Sequence, residues 1–359
     1  MATTYGKNLK ISIYGGSHDE EIGVIAEGLP KGEDFDFEKL LAFMKRRAPG
    51  NAKYATARKE PDLPIFESGV VDQKTLDGNT FKAVIKNTNQ HSSDYSNLID
   101  VPRPSHADYP ARVKFGDGVD LRGGGHFSGR LTAPMCIVGG ICLQILERMG
   151  IKIAAHIYSI KGECDRPFDL CAVGEEDFSL LDGREFPTLS EEAGERMKEV
   201  IEGARLEGDS VGGVIECAVI GLPVGIGEHM FYGLEGRISS IIFSVPAVKA
   251  IEFGNGFECA SLFGSENNDP YVIEDGKIKT KTNNCGGIAG GMSNGMPIVF
   301  RTAIKPTPSI AKEQDSVSLS RLENAKLVIK GRHDPCIIPR AVPVIEAATA
   351  IAILDALLD

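Results

Sequence analysis

Between residues 36 and 47, apolar side chains fall at Phe37, Leu40, Leu41 and Met44, the spacing of one face of an α-helix. Asp36 is placed to cap that helix, Lys45, Arg46 and Arg47 occupy its last turn, and Pro49-Gly50 ends it. A second amphipathic helix is predicted over 188–205. Thr188 and Glu191 there form a capping-box pattern, and Met197, Val200, Ile201 and Ala204 make the apolar stripe. VGGVIECAVIGLPVGIG, residues 211–227, reads as a strand followed by a turn-rich segment. Residues 270–283 are polar and read as a surface hairpin or loop, and 311–320 as a mobile polar loop.

Two segments are apolar on every side. SGRLTAPMCIVGGICLQILERMG (128–150) and PRAVPVIEAATAIAILDALLD (339–359) each place an arginine, Arg130 or Arg340, three or four residues before a proline, Pro134 or Pro343. Proline suits the first turn of a helix, and a helix without a polar face belongs in a core. The pattern predicts two central helices whose Ala and Gly residues allow close approach. Each presents an arginine near its N-terminal end, where the helix dipole already favours anions. Pro134 and Gly139-Gly140 mark the first as a buried helix rather than a membrane span.

Composition narrows the function classes. The chain has 359 residues, enough for one large domain or two ordinary ones, and a net charge of −11 that argues against nucleic-acid or anionic-membrane partners. Its 41 glycines imply many tight loops or close backbone approaches. The eight cysteines form no CxxC and no zinc-finger spacing with histidine. Most sit in apolar company, which, with an N-terminus (MATTYGKNLK) lacking a signal-like apolar run, points to the cytoplasm.

The candidate chemistry lies in loops that mix glycine, hydroxyl and cationic residues. They are YGGSHDE (14–20), LRGGGHFSGR (121–130), NNCGGIAGGMSNG (283–295), KPTPS (305–309) and KGRHDPC (330–336). Exposed backbone N–H groups, lysine and arginine charges and hydroxyl donors suit phosphate and carboxylate. No GxxxxGK[ST] and no strand-linked GxGxxG occurs, so neither a P-loop nor a Rossmann site is expected. His91, His156 and His229 stand alone and read as structural or exposed. His18, His106, His126 and His333 lie within the Gly/Arg-rich loops. No HxH or HExxH is present, so no metal site is expected.

Taken together and in order, these segments resemble the chorismate synthase family. GGSHDEEIGVIAEGLP (15–30) is similar to its N-terminal signature, RPSHADYPARVKFG (103–116) to its R-P-G-H-A-D-Y segment, and GGGHFSGRLTA (123–133) to its central signature. GRHDPCIIPRAVPVIEAATA (331–350) is similar to the C-terminal signature. TARKEPD (56–62), EGDSVGG (207–213) and KPTPS also match in order, and the resemblance runs from about residue 6 to 358. It implies a single-domain α+β fold, a β-α-β sandwich with helices between sheets, usually assembled as a homotetramer.

It also implies conversion of 5-enolpyruvylshikimate 3-phosphate to chorismate with reduced FMN and no net redox change. NADPH would act at most as an indirect reductant, through a separate flavin reductase. By resemblance His18, His106 and Asp334 are catalytic, and Ser17, Arg46, Arg47, Lys53, Arg58, Arg130 and Arg340 bind substrate. His126, Phe127, Ser128, Pro246, Ala247, Gly290, Lys305, Pro306, Thr307, Pro308, Ser309 and Arg332 contact the flavin. The chain departs from the family pattern at Asp19, Ala48, Ser105 and Asn284, where the family carries Gly, Arg, Gly and His.

Overall fold

Two five-stranded antiparallel sheets enclose a layer of helices in the computed structural model, which describes residues 2–48, 61–72, 74–87, 100–329 and 334–359. The first sheet runs Ala2–Tyr5, Lys10–Gly15, Glu21–Glu27, Phe81–Lys86, Ile65–Ser68 from edge to edge. The second runs Val248–Phe253, Ile298–Ile304, Gly213–Ile220, Lys152–Ile160, Glu163–Cys164. Helices Thr132–Arg148 and Ile338–Leu357 lie between them, flanked by Phe37–Arg47 and Leu234–Ser244. The architecture is the expected α+β sandwich.

Side-chain alternation explains the layering. Ile22, Val24 and Ala26 of one strand and Phe81, Ala83 and Ile85 of its neighbour are buried toward the helices, while Glu21, Glu27, Lys82 and Lys86 are not buried. The two central helices are buried along nearly their whole length, which is why they lack a polar face. Gly129–Arg148 is long and apolar enough to cross a membrane, and it is packed inside this core. Distant parts of the chain are stitched by single polar groups. The Asp355 carboxylate accepts the backbone N–H groups of Lys7, Asn8 and Leu9 at 3.0, 2.7 and 2.8 Å and pairs with Arg237 at 3.2 Å.

Most local expectations are met, with three corrections. Asp36 caps Phe37–Arg47, strand Gly213–Ile220 is present, and Tyr271–Glu274 pairs with Lys277–Thr280 as a hairpin. The second amphipathic helix starts later than predicted: it is Glu191–Leu206, capped by Ser190, and Thr188 is buried before it. The polar stretch 311–320 contains a strand, Gln314–Ser318, because Glu323–Leu327 supplies an antiparallel partner. Pro343 sits inside its helix, and Pro339 takes the first-turn place instead.

His156 is fully buried under the outer face of the second sheet. Nδ1 lies 3.2 Å from Asp165 and Nε2 3.0 Å from Glu216. His229 is exposed.

Candidate active site

The first sheet delivers Ser17 and His18 in the turn that follows strand Lys10–Gly15. That turn is bound to the glycine triplet: Ser17 N–H donates to the Gly125 carbonyl at 3.1 Å, and His126 Nδ1 lies 2.8 Å from the Gly15 carbonyl. Gly123, Gly124 and Gly125 have φ of 58°, 90° and 54°, a conformation that side chains disfavour. Space forbids a side chain at Gly123 as well. A Cβ there would lie 2.4 Å from His18 Cε1 and 2.8 Å from Ser17 Oγ, whereas one on Gly124 would sit in contact with His106 Nε2 at 3.4 Å. Two consecutive glycines thus form a floor with His18 against one and His106 against the next. Ser17 Oγ is fully buried and has no hydrogen-bond partner among the described residues.

His106 is held from behind. Its Nδ1 lies 2.7 Å from Asp108 Oδ1, and Arg103 donates to both oxygens of the same carboxylate at 2.7 Å. Burial alone would raise the Asp108 pKa, but hydrogen bonds from Arg103 and His106 outweigh it and hold the group well below the usual carboxylate range. Arg103 also reaches Ser309 Oγ at 3.3 Å, joining this loop to KPTPS.

The arginines are sorted by buried carboxylates. Asp62 lies between Arg47 Nη1, at 2.6 Å, and Arg130. Burial opposes its charge, and the two guanidiniums prevail and lower its pKa. Arg130 Nε donates to Asn87 Oδ1 at 3.1 Å, and Asn87 Nδ2 donates to the Asp19 carbonyl at 2.8 Å, next to His18. Arg340 Nε donates to the Arg47 carbonyl at 3.0 Å, and its Nη1 pairs with Asp334. Arg47, Arg130, Arg340 and Asp334 therefore form one connected group reaching the His18 turn. Arg46 does not join it. It makes a bidentate pair with Glu346 at 2.6 and 2.9 Å.

The KPTPS loop adjoins the same group. Thr307 Oγ1 donates to the Asp334 carbonyl at 2.8 Å, and Lys305 N–H donates to the Ala247 carbonyl at 2.9 Å. Ala247, which follows Pro246, is held at φ 76°. Burial, with Lys249 nearby, lowers the Lys305 pKa, and neither lysine has a carboxylate partner among the described residues. Pro306 and Pro308 stiffen the loop. The Phe127 ring packs against Phe115 with centroids 6.3 Å apart, and the Ser128 side chain accepts from Arg130 N–H at 3.3 Å. Gly290 lies in a hairpin anchored to another segment, where Leu234 N–H donates to the Gly291 carbonyl at 2.8 Å. Lys53, Arg58, Arg332 and His333 lie outside the described residues.

Asp62, Asn87, Arg103 and Asp108 belong to this cluster although the sequence reading did not single them out. For Asp62, Arg103 and Asp108 a signal existed, because each lies inside a matched segment, and buried cations need counter-charge. Asn87 carries no such signal. Among the departures, Ser105 is held at φ 58°, where glycine costs nothing, and Asn284 donates to the Asn267 carbonyl at 3.0 Å in another loop.

A sheet–helix–sheet enzyme with imidazoles, hydroxyls and buried cations gathered on a glycine floor is suited to proton transfer on an anionic substrate. Comparison with known proteins gives the family. Residues 9–358 match the family model described as chorismate synthase. The chorismate synthase of Lancefieldella parvula is 47% identical over 99% of this chain and 96% of its own length. That of Thermococcus kodakarensis is 44% identical over 98% and 97%. A crystal structure of a chorismate synthase superposes with a TM-score of 0.75 at 28% identity, covering 98% of this chain and 92% of that one. The chain belongs to the chorismate synthase family, carbon–oxygen lyases that act on phosphates.

Proposed function

We propose that the chain converts 5-enolpyruvylshikimate 3-phosphate to chorismate and phosphate by an anti-1,4-elimination, the last common step of the shikimate pathway to the aromatic amino acids. The observation that carries this reading is the placement of His18 and His106 against adjacent glycines, beside a buried arginine group. The substrate carries a phosphate and two carboxylates. The guanidiniums of Arg47, Arg130 and Arg340 are gathered around Asp62 and Asp334, and cationic groups of this kind suit phosphate and carboxylate. Ser17 Oγ offers a buried donor to an anionic oxygen. His18 protonates the phosphate oxygen as the C–O bond breaks, and Asp334 accepts the proton that leaves the ring.

The residues present also fit reduced FMN. Lys305 and Lys249, with no carboxylate partner among the described residues and with Thr307 and Ser309 alongside, suit a phosphomonoester. Reduced FMN bound there would supply electron density to the elimination without net redox change. His126, Phe127, Ser128, Pro246, Ala247, Gly290 and Arg332 are assigned to the flavin by resemblance, and His106 would hold a proton on Nε2 for the flavin. Reduced flavin is supplied by a separate reductase, with NADPH as the indirect electron source. We place the enzyme in the cytoplasm as a homotetramer. Exposed apolar side chains such as Phe231, Phe257, Phe263 and Ile273 are the kind of surface that further copies cover.

The test is an anaerobic assay with dithionite-reduced FMN and 5-enolpyruvylshikimate 3-phosphate. It follows phosphate release, diene absorbance and flavin oxidised per product. Many turnovers with the flavin still reduced are expected. One flavin oxidised per phosphate would mean an oxidoreductase, and no product would overturn the reading.

A further inference from the structure

We infer that Asp108 is a positioning residue that fixes the tautomer and ring orientation of His106, and that Arg103 holds Asp108 in the charged state this requires. The inference rests on the reading of His106 as a proton carrier.

Asp108 is buried, and its two oxygens are accounted for. Oδ2 accepts from Arg103 Nε at 2.7 Å and from the Arg103 backbone N–H at 3.0 Å; Oδ1 accepts from Arg103 Nη2 at 2.7 Å. A carboxylate so surrounded is ionised, and an ionised carboxylate only accepts hydrogen bonds. His106 Nδ1 lies 2.7 Å from Oδ1, so the hydrogen between them belongs to Nδ1. The other neutral tautomer would set a bare nitrogen lone pair against a carboxylate lone pair at that distance. Arg103 Nη2 also lies 3.1 Å from Nδ1; one of its two hydrogens is given to Oδ1 at 2.7 Å, and the shorter 2.7 Å contact of Nδ1 with the charged carboxylate favours the proton on Nδ1 over a longer contact from Nη2 to a bare nitrogen.

With Nδ1 committed, Nε2 is the only position at which His106 gains or loses a proton. Nε2 faces Gly124, the floor whose neighbouring glycine abuts His18. Arg103 Nη1 reaches Ser309 at 3.3 Å, so one guanidinium sets both the His106 orientation and the position of the KPTPS loop. A tautomer-fixing carboxylate of this kind acts on kcat rather than on substrate affinity.

Solid-state 15N spectra of protein labelled at its histidine rings test the assignment, with the His106 signal identified by its loss in His106→Gln. The neutral wild-type ring is expected to show a protonated Nδ1 and a bare Nε2. In Asp108→Asn the two tautomers mix, and kcat falls about 10²-fold while KM changes by less than about 3-fold. A bare Nδ1 in the wild type overturns the inference, as does an Asp108→Asn variant with unchanged tautomer and rate. If Asp108→Asn does not fold, the wild-type spectrum alone decides. If the wild type makes no chorismate, the spectrum still tests Asp108, and it is the proposed function that fails.

Discussion

Gly139 of one central helix lies directly against Ala347 of the other: a Cβ at Gly139 would come within 2.3 Å of the Ala347 Cβ and 2.8 Å of its carbonyl oxygen. The crossing is set by the absence of a side chain, and an arginine stands at the N-terminal end of each helix, Arg130 just before the first and Arg340 in the first turn of the second. Gly139→Ala is expected to lower stability by about 1–3 kcal/mol, because a packed core relaxes little around an added methyl. Urea unfolding at equilibrium measures this, and an unchanged midpoint would show that the helices separate freely.

The glycine floor ties rate to geometry. His18→Ala and His106→Ala should each reduce kcat by about 10²–10⁴-fold with little change in melting temperature. Gly123→Ala should reduce it on the order of 10²-fold, since its Cβ would displace His18 from 2.4 Å away. Wild-type turnover in any of the three would remove the role given to that contact.

Ser105 holds a left-handed φ of 58° beside His106. Ser105→Gly should stabilise the protein by about 1 kcal/mol by relieving the contact between Cβ and the backbone. Calorimetry decides this, and a lower melting temperature would mean that the serine side chain offsets its strain.

His156 gives the stability a pH dependence with a definite sign. Burial by itself would lower its pKa, but the hydrogen bonds that its ring nitrogens donate to the Asp165 and Glu216 carboxylates outweigh it and raise it above the ordinary histidine value. A raised pKa means stability fully present below the unfolded value and lost as pH rises through the folded one. Asp165 is shifted below 3.8 by the same pairing, burial opposing, so its contribution is lost on the acid side. Unfolding midpoints should therefore fall toward alkaline pH, and His156→Gln should flatten that slope while costing about 3–5 kcal/mol near neutrality, because two buried carboxylates lose their cation. Identical slopes for both proteins would assign the alkaline loss to another group.

Lys305→Met should weaken FMN binding by about 10-fold or more, and raising the salt concentration should narrow the difference, since the loss is that of a charge facing a phosphate. Fluorescence titration of the flavin is the readout. Equal affinities would move the phosphate away from KPTPS.

Much of the molecule follows from local sequence. The two central helices were legible because an all-apolar helix has only a core to go to, and Asp36 marks the start of the helix it caps. The family was legible from ordered segments. Other features required the tertiary structure, because they depend on partners far away in the chain. Arg46 and Arg47 are adjacent, yet successive helix positions point about 100° apart, so one meets Glu346 and the other Asp62. Gln314–Ser318 became a strand only because Glu323–Leu327 pairs with it, and His156 became a buried ion-pair centre only because Asp165 and Glu216 reach it. Periodicity and residue type report what a segment does to its own backbone. Which charge meets which, and that two histidines share one glycine floor, is decided when the sheets close over the helices.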